Sequence, residues 1–158
     1  EGKKDGPRRV SLGMPLLAGE DDLAAVADAL LAAYPTKKGE AVVFVGHGTD
    51  HPAGMAYPAL QAVLAERSAA HFVGTVEGLT TPQRIAARLT ALKTRSVTLV
   101  PLMAVAGDHA QNDIAGTEED SWASTLSGAG LKASADAVAG LWIEHLRQAV
   151  AGLGGVAH

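Results

Sequence analysis

The chain has 158 residues, enough for one domain with a core of ordinary size, and a formal net charge of −4 with a pI near 5.8. No basic stripe is available for nucleic acid or an anionic membrane surface, and no apolar run approaches the roughly 18 residues that a membrane helix needs. Cysteine is absent, which excludes disulfides and thiolate metal sites, so any metal site must use His and carboxylates.

The opening Glu1-Gly2-Lys3-Lys4-Asp5-Gly6-Pro7-Arg8-Arg9 lacks Met and is no signal peptide. It reads as a surface linker entering a strand at Arg9 to Leu12, and the chain is expected to be part of a longer polypeptide. From Glu20 to Tyr34, Leu23, Val26, Ala27, Leu30 and Leu31 recur at helical spacing, and Asp21 and Asp22 suit the positive end of a helix dipole. Pro35 and Gly39 end that helix. Ala41 to Val45 is a continuous apolar run, the pattern of a strand covered on both faces. It stops at Gly46-His47-Gly48-Thr49-Asp50-His51-Pro52, where the glycines allow tight turns and close approach of a ligand. A helix over roughly Tyr57 to Ser68 follows, then a strand from His71 to Val76 ending at Glu77-Gly78.

Thr81-Pro82 opens the next helix, with Thr81 as N-cap, Pro82 at the first helical position, and Ile85, Leu89 and Leu92 as the inner face. Val97 to Val100 is a buried strand that Pro101 should end, because proline cannot donate to a central ladder. A long polar loop containing Gly107, Asp108, His109, Asn112 and Asp113 follows, then a helix near Asp120 to Leu126. A last helix spans roughly Ala135 to Ala149. Gly130 to Ala133 begins like a strand, yet Ser134-Ala135-Asp136 already reads as a helix start; either the edge strand is vestigial or residues are missing there. The alternation of strands and helices predicts a three-layer αβα domain with a mainly parallel sheet and right-handed crossovers.

In such a sheet the C-terminal strand ends lie along one edge, where ligand sites form. Three successive strands end in groups of metal-ligand type: His47, Glu77 and His109. Two imidazoles and a carboxylate suit a borderline divalent ion such as Co²⁺, Ni²⁺, Fe²⁺ or Zn²⁺, and the same three groups could equally move protons. The residue types leave both uses open. Each also has an ordinary structural role, a loop hydrogen bond for a histidine and a helix cap for Glu77. His51 either lies near the site or stabilises its loop. His71 reads as structural, His145 as surface or packing, and His158 is terminal. Glu118-Glu119-Asp120 reads as a solvated acidic helix start, with an outer metal-collecting role as the weaker alternative. Gly46-His47-Gly48 has neither a G-x-G-x-x-G pattern nor a Walker lysine, which argues against a nucleotide phosphate site.

The segments Val43-Phe44-Val45-Gly46-His47-Gly48-Thr49-Asp50-His51-Pro52 and Met103-Ala104-Val105-Ala106-Gly107-Asp108-His109-Ala110-Gln111-Asn112-Asp113 resemble the anaerobic sirohydrochlorin cobaltochelatases of the CbiK type. Gly74-Thr75-Val76-Glu77-Gly78 and Asp120-Ser121-Trp122 fit the same family. The resemblance runs from about Val10 to the final helix and covers the C-terminal half of a two-domain family.

It implies a class II chelatase that inserts Co²⁺ into sirohydrochlorin without ATP in anaerobic cobalamin biosynthesis. His47 and His109 then match the active-site histidines and Glu77 their acidic partner, all three ligating the incoming metal. The macrocycle would bind between two domains, so the expected partners are sirohydrochlorin and either an N-terminal domain or a second copy of the chain. Some family members bind haem or are exported, through determinants outside this stretch; the expected compartment is cytoplasmic, with the periplasm as alternative. A sirohydrochlorin ferrochelatase and a non-turnover metal- or tetrapyrrole-binding protein are the competing functions. The segment around Ala133 is shorter than in the family, where a strand and loop precede the last helix.

Overall fold

The computed structural model describes residue 17, residues 19–103 and residues 108–135, with the backbone alone at 108–111. The expected strand at Arg9 to Leu12, the last helix beyond Ala135, His145 and His158 lie outside the described residues.

Four strands form one parallel sheet in the order β2-β1-β3-β4, with β1 at Glu40–Gly46, β2 at His71–Thr75, β3 at Ser96–Pro101 and β4 at Lys132–Ala135. Helix α1 (Glu20–Ala33) precedes β1, and α2 (Ala56–Arg67) and α3 (Pro82–Ala91) provide the two crossovers that follow it. Helices α4 (Asp108–Ala115) and α5 (Trp122–Gly128) connect β3 to β4.

The alternation of a strand sorts the core into two layers. Ala41, Val43 and Val45 of β1 pack with Ile85, Leu89, Ile114, Trp122 and Leu126 from α3, α4 and α5. Val42 and Phe44 face the other way, onto Val26, Ala27 and Leu30 of α1 and Leu60 and Leu64 of α2. With both faces covered, β1 is buried from Ala41 to Gly46, as its unbroken apolar run requires. Fully buried side chains such as Phe44, Leu60 and Leu64 each stabilise the fold by about 1.5–3 kcal/mol. The three-layer architecture read from the sequence is the one observed. Among the described residues no helix is long and apolar enough to cross a membrane.

Local sequence chemistry explains the element ends. Thr81 Oγ1 accepts from the Arg84 N–H at 3.5 Å with Pro82 at the first helical position, the start anticipated for α3. β3 ends at Pro101, which still pairs with Val45.

Four expectations are corrected. The polar stretch after β3 is helical from Asp108, so His109 stands in the first turn of α4 rather than on a loop. Leu92 caps the C-terminus of α3 and is 54% exposed, because the helix ends at Ala91 and the inner face stops at Leu89. The helix expected over Tyr57 to Ser68 is present as α2, with a 3-10 turn at Pro52–Met55 leading into it. Helix α5 begins at Trp122, since Ser121 caps it by accepting from the Ser124 N–H at 3.1 Å while donating to the Gly116 carbonyl at 2.7 Å; Glu118, Glu119 and Asp120 are exposed but precede it. Ser134 and Ala135 belong to strand β4, which pairs with Thr98 and Leu99, and not to a helix start.

Candidate metal site at the carboxyl edge of the sheet

Strand β1 lies between β2 and β3, so the segments carrying His47, Glu77 and His109 leave three adjacent strands. His47 is the first residue after β1 and is exposed. Glu77 comes two residues after β2 and is also exposed. The two loops continue the parallel pairing past the strand ends: the Val76 N–H donates to the Gly46 carbonyl at 2.9 Å, and the Glu77 N–H to the His47 carbonyl at 2.8 Å. Main chain, not side chain, therefore fixes the neighbourhood of these two residues. A turn closed by the Thr75 N–H on the Thr80 carbonyl, 3.1 Å, shapes the rest of the loop. On β3 the Leu102 N–H donates to the Val45 carbonyl at 2.8 Å, carrying the third strand past Pro101 in the same way.

Gly48 is the residue that lets the first two loops meet. Its φ is +84°, and a Cβ there would lie 2.8 Å from the Glu77 carbonyl carbon and collide with the carbonyl oxygen. Gly74 does similar service on β2, where an added Cβ would approach Cζ2 of Trp122 to 2.5 Å. The Gly-Thr-Val-Glu-Gly and Asp-Ser-Trp segments noted in the sequence thus touch, ring against backbone.

The side chain of His109 lies outside the described residues, so the structure brings His47 and Glu77 onto one edge and places the backbone of His109 after the third strand. Among the described residues no group of three or more His, Asp or Glu side chains could hold a metal ion. His51 has a structural role, for its Nδ1 accepts from the Ala53 N–H at 3.1 Å and caps the 3-10 turn. His71 is buried and structural. Its Nε2 donates to the Tyr34 carbonyl at 2.7 Å, which leaves Nδ1 to accept from Ser68 Oγ at 2.7 Å, and its ring stacks on Phe44.

Two clefts flank the segment Val76 to Gln83. The first, about 330 Å³, lies between the β1–α2 and β2–α3 connections and includes Gly48, Asp50, His51, Tyr57, Thr75 and Glu77 in its lining. Its volume sits at the low end for small-molecule sites. Two large apolar side chains line it yet stand open to solvent, Met55 at 61% and Leu79 at 70% exposure. The second cleft, about 270 Å³, is the more polar of the two; Gln83, Asn112, Asp113, Glu118, Asp120 and Trp122 contribute to it. Among the described residues this edge carries more carboxylates than cations, a field that raises the local concentration of cations.

A family model described as cobalt chelatase (CbiK) matches residues 4–151. The chain belongs to the cobalt chelatase family. A sirohydrochlorin cobaltochelatase CbiKC of Nitratidesulfovibrio vulgaris is 39% identical over 161 residues, covering 96% of this chain and 57% of that protein. The sirohydrochlorin cobaltochelatase of Salmonella typhimurium is 34% identical over 151 residues, covering 90% of this chain and 57% of that protein. The chain therefore spans a little over half the length of these two curated relatives.

Met55 and Leu79 fall in segments without strong periodicity, and only their exposure beside Glu77 marks them. Tyr57 has a second role, since a Cβ on Gly46 would lie 2.6 Å from its ring carbon Cζ: the tyrosine lies against the strand end that presents His47.

Proposed function

We propose that this chain carries the metal-handling edge of a sirohydrochlorin cobaltochelatase, which inserts Co²⁺ into sirohydrochlorin without ATP on the anaerobic route to cobalamin. One observation carries the reading. Within a chain matched almost throughout by the cobalt chelatase family, His47 and Glu77 are fixed on neighbouring strand ends by a main-chain hydrogen bond, beside a cleft rimmed by exposed apolar side chains.

In this reading His47, Glu77 and His109 receive the substrate Co²⁺. Insertion strips water from the ion and removes two N–H protons from the macrocycle. Neutral imidazoles suit both steps. They hold a borderline ion while it desolvates and then yield it to the ring nitrogens, and a free imidazole accepts a proton. Glu77 adds negative charge that favours the ion. Met55, Leu79 and Tyr57 offer the apolar surface a planar macrocycle needs, and Gly48 and Gly78 keep side chains out of its way. The cleft is open, and its opposite wall comes from a second chelatase-type domain or a second copy of the chain. The cytoplasmic location of a cobalamin-pathway enzyme is part of the same proposal.

The test is a Co²⁺ titration followed by visible absorption, with His47→Ala, Glu77→Gln and His109→Ala alongside, and insertion assayed by the change in the tetrapyrrole spectrum. The expected result is an N/O-ligated cobalt band that each substitution weakens, with insertion lost in His109→Ala while the fold is retained. A band unchanged by all three substitutions would overturn the assignment of the site, and an absence of insertion by the wild type with both walls of the cleft present, in the full-length polypeptide or the dimer, would overturn the function.

A further inference from the structure

Arg84 is a cation in an unfavourable place. It lies in the first turn of α3, where the helix dipole disfavours positive charge, and that turn holds no acidic residue to compensate. Its Nη1 donates to the Leu79 carbonyl at 3.0 Å, which draws the guanidinium back over the loop that carries Glu77. Its side chain makes no other hydrogen bond and no ion pair among the described residues, although Glu77, Asp113, Glu118 and Asp120 belong to the same edge.

The remaining described cations lie elsewhere. Lys37, Lys38, Lys93, Arg95 and Lys132 gather at the N-terminal ends of the strands. Arg67 is paired with Asp28 at 3.0 Å, and Arg88 lies over the Phe72 ring. Among the described residues Arg84 is thus the single cation at the carboxyl edge. It stands by Leu79, which lines the first cleft, and beside Gln83, which lines the second.

Resting on the function proposed above, we infer that Arg84 anchors a carboxylate arm of the tetrapyrrole and so sets the macrocycle's orientation over Glu77. Sirohydrochlorin carries acetate and propionate arms around its rim. An edge rich in carboxylates attracts Co²⁺ but repels such a polyanion, and one fixed guanidinium answers that conflict. Its bond to Leu79 orients the planar fork, which leaves N–H donors for the bidentate geometry that carboxylates favour. The apolar body of the macrocycle then rests on Leu79 and Met55, with the charged rim at Arg84.

Arg84→Gln and Arg84→Lys separate this role from simple fastening of the loop. Sirohydrochlorin binding, its KM and kcat, Co²⁺ affinity and the melting temperature are measured for each. Arg84→Gln should raise the tetrapyrrole Kd and KM about five- to tenfold, the loss of a charge-assisted pair at an exposed site. Co²⁺ affinity should stay at its wild-type value, while kcat falls as the macrocycle loses its fixed orientation, with Arg84→Lys intermediate in both KM and kcat. Added salt should weaken tetrapyrrole binding more in the wild type than in Arg84→Gln. A KM unchanged to within about twofold overturns the anchor while leaving the chelatase reading intact, and so does Co²⁺ affinity falling in step with tetrapyrrole affinity. A wild-type protein that, with both walls of the cleft present, neither binds nor metallates sirohydrochlorin overturns the functional reading, and the anchor with it.

Discussion

Replacing Gly48 by alanine strikes the joint between the two loops that carry His47 and Glu77. The native φ of +84° costs an L-residue about 1–2 kcal/mol. The added methyl also meets the Glu77 carbonyl, a main-chain group that has no rotamer to retreat into. Relief requires the loops to part, which breaks the 2.8 Å bond from the Glu77 N–H to the His47 carbonyl and the 2.9 Å bond from the Val76 N–H to the Gly46 carbonyl. At about 0.5–1.5 kcal/mol for each bond, the total destabilisation is about 2–5 kcal/mol. For a domain of this size that lowers Tm by about 10 °C. The effect on function should be larger than the effect on stability. A displacement of about 1 Å between groups that act together costs on the order of 100-fold in rate. Circular dichroism melts, amide exchange at Val76 and Glu77, and Co²⁺ titration below the melting range test the chain of reasoning. A Gly48→Ala protein with wild-type melting, protected amides at both positions and unaltered Co²⁺ affinity would refute it.

Other substitutions test the packing beneath the edge. His71→Phe removes both ring hydrogen bonds while keeping a ring against Phe44, and should cost about 1–3 kcal/mol in urea unfolding with no change in Co²⁺ affinity. A drop in cobalt binding would place His71 in the site after all. Gly74→Ala forces a methyl against Trp122 and should cost about 1–3 kcal/mol, with a changed near-ultraviolet signal from the indole. In a double-mutant cycle, Trp122→Phe should recover part of that loss, and strict additivity of the two would show that the contact does not limit packing.

The layers were legible because their signals were strong. Ala41 to Val45 could be little but a doubly covered strand, and Thr81-Pro82 marks a helix start by chemistry alone. The weak elements were less legible: α4 was missed, and the edge strand was seen only as a beginning at Gly130 to Ala133. Helix α4 shows no apolar periodicity, since of its described side chains only Ile114 is buried, and Asn112 and Asp113 favour loops as readily as helix. Strand β4 is Lys-Ala-Ser-Ala with no buried residue, held by its ladder to β3 rather than by an apolar face. Leu92 continued a good inner-face pattern one turn too far, because periodicity does not reveal where a cap ends the helix. At the site, strand-end logic placed His47 and Glu77 on one edge. It could not show that main-chain bonds tie their loops together, nor that Arg84 folds back over Leu79. Those depend on loop conformation, which residue type constrains only at positions such as Gly48.

The bonds from Val76 to Gly46 and from Glu77 to His47 involve no side-chain atom. The scaffold of this edge is therefore indifferent to which side chains it displays, provided that Gly48 is kept. Exchanging His47 or Glu77 for another donor alters the hardness and charge of the display without disturbing the frame beneath it. Selectivity among divalent ions follows donor type and geometry. On the metal site proposed above, an edge built in this way would let metal preference diverge by single substitutions while the fold stays constant, leaving a directed-evolution campaign toward another ion only a few positions to vary.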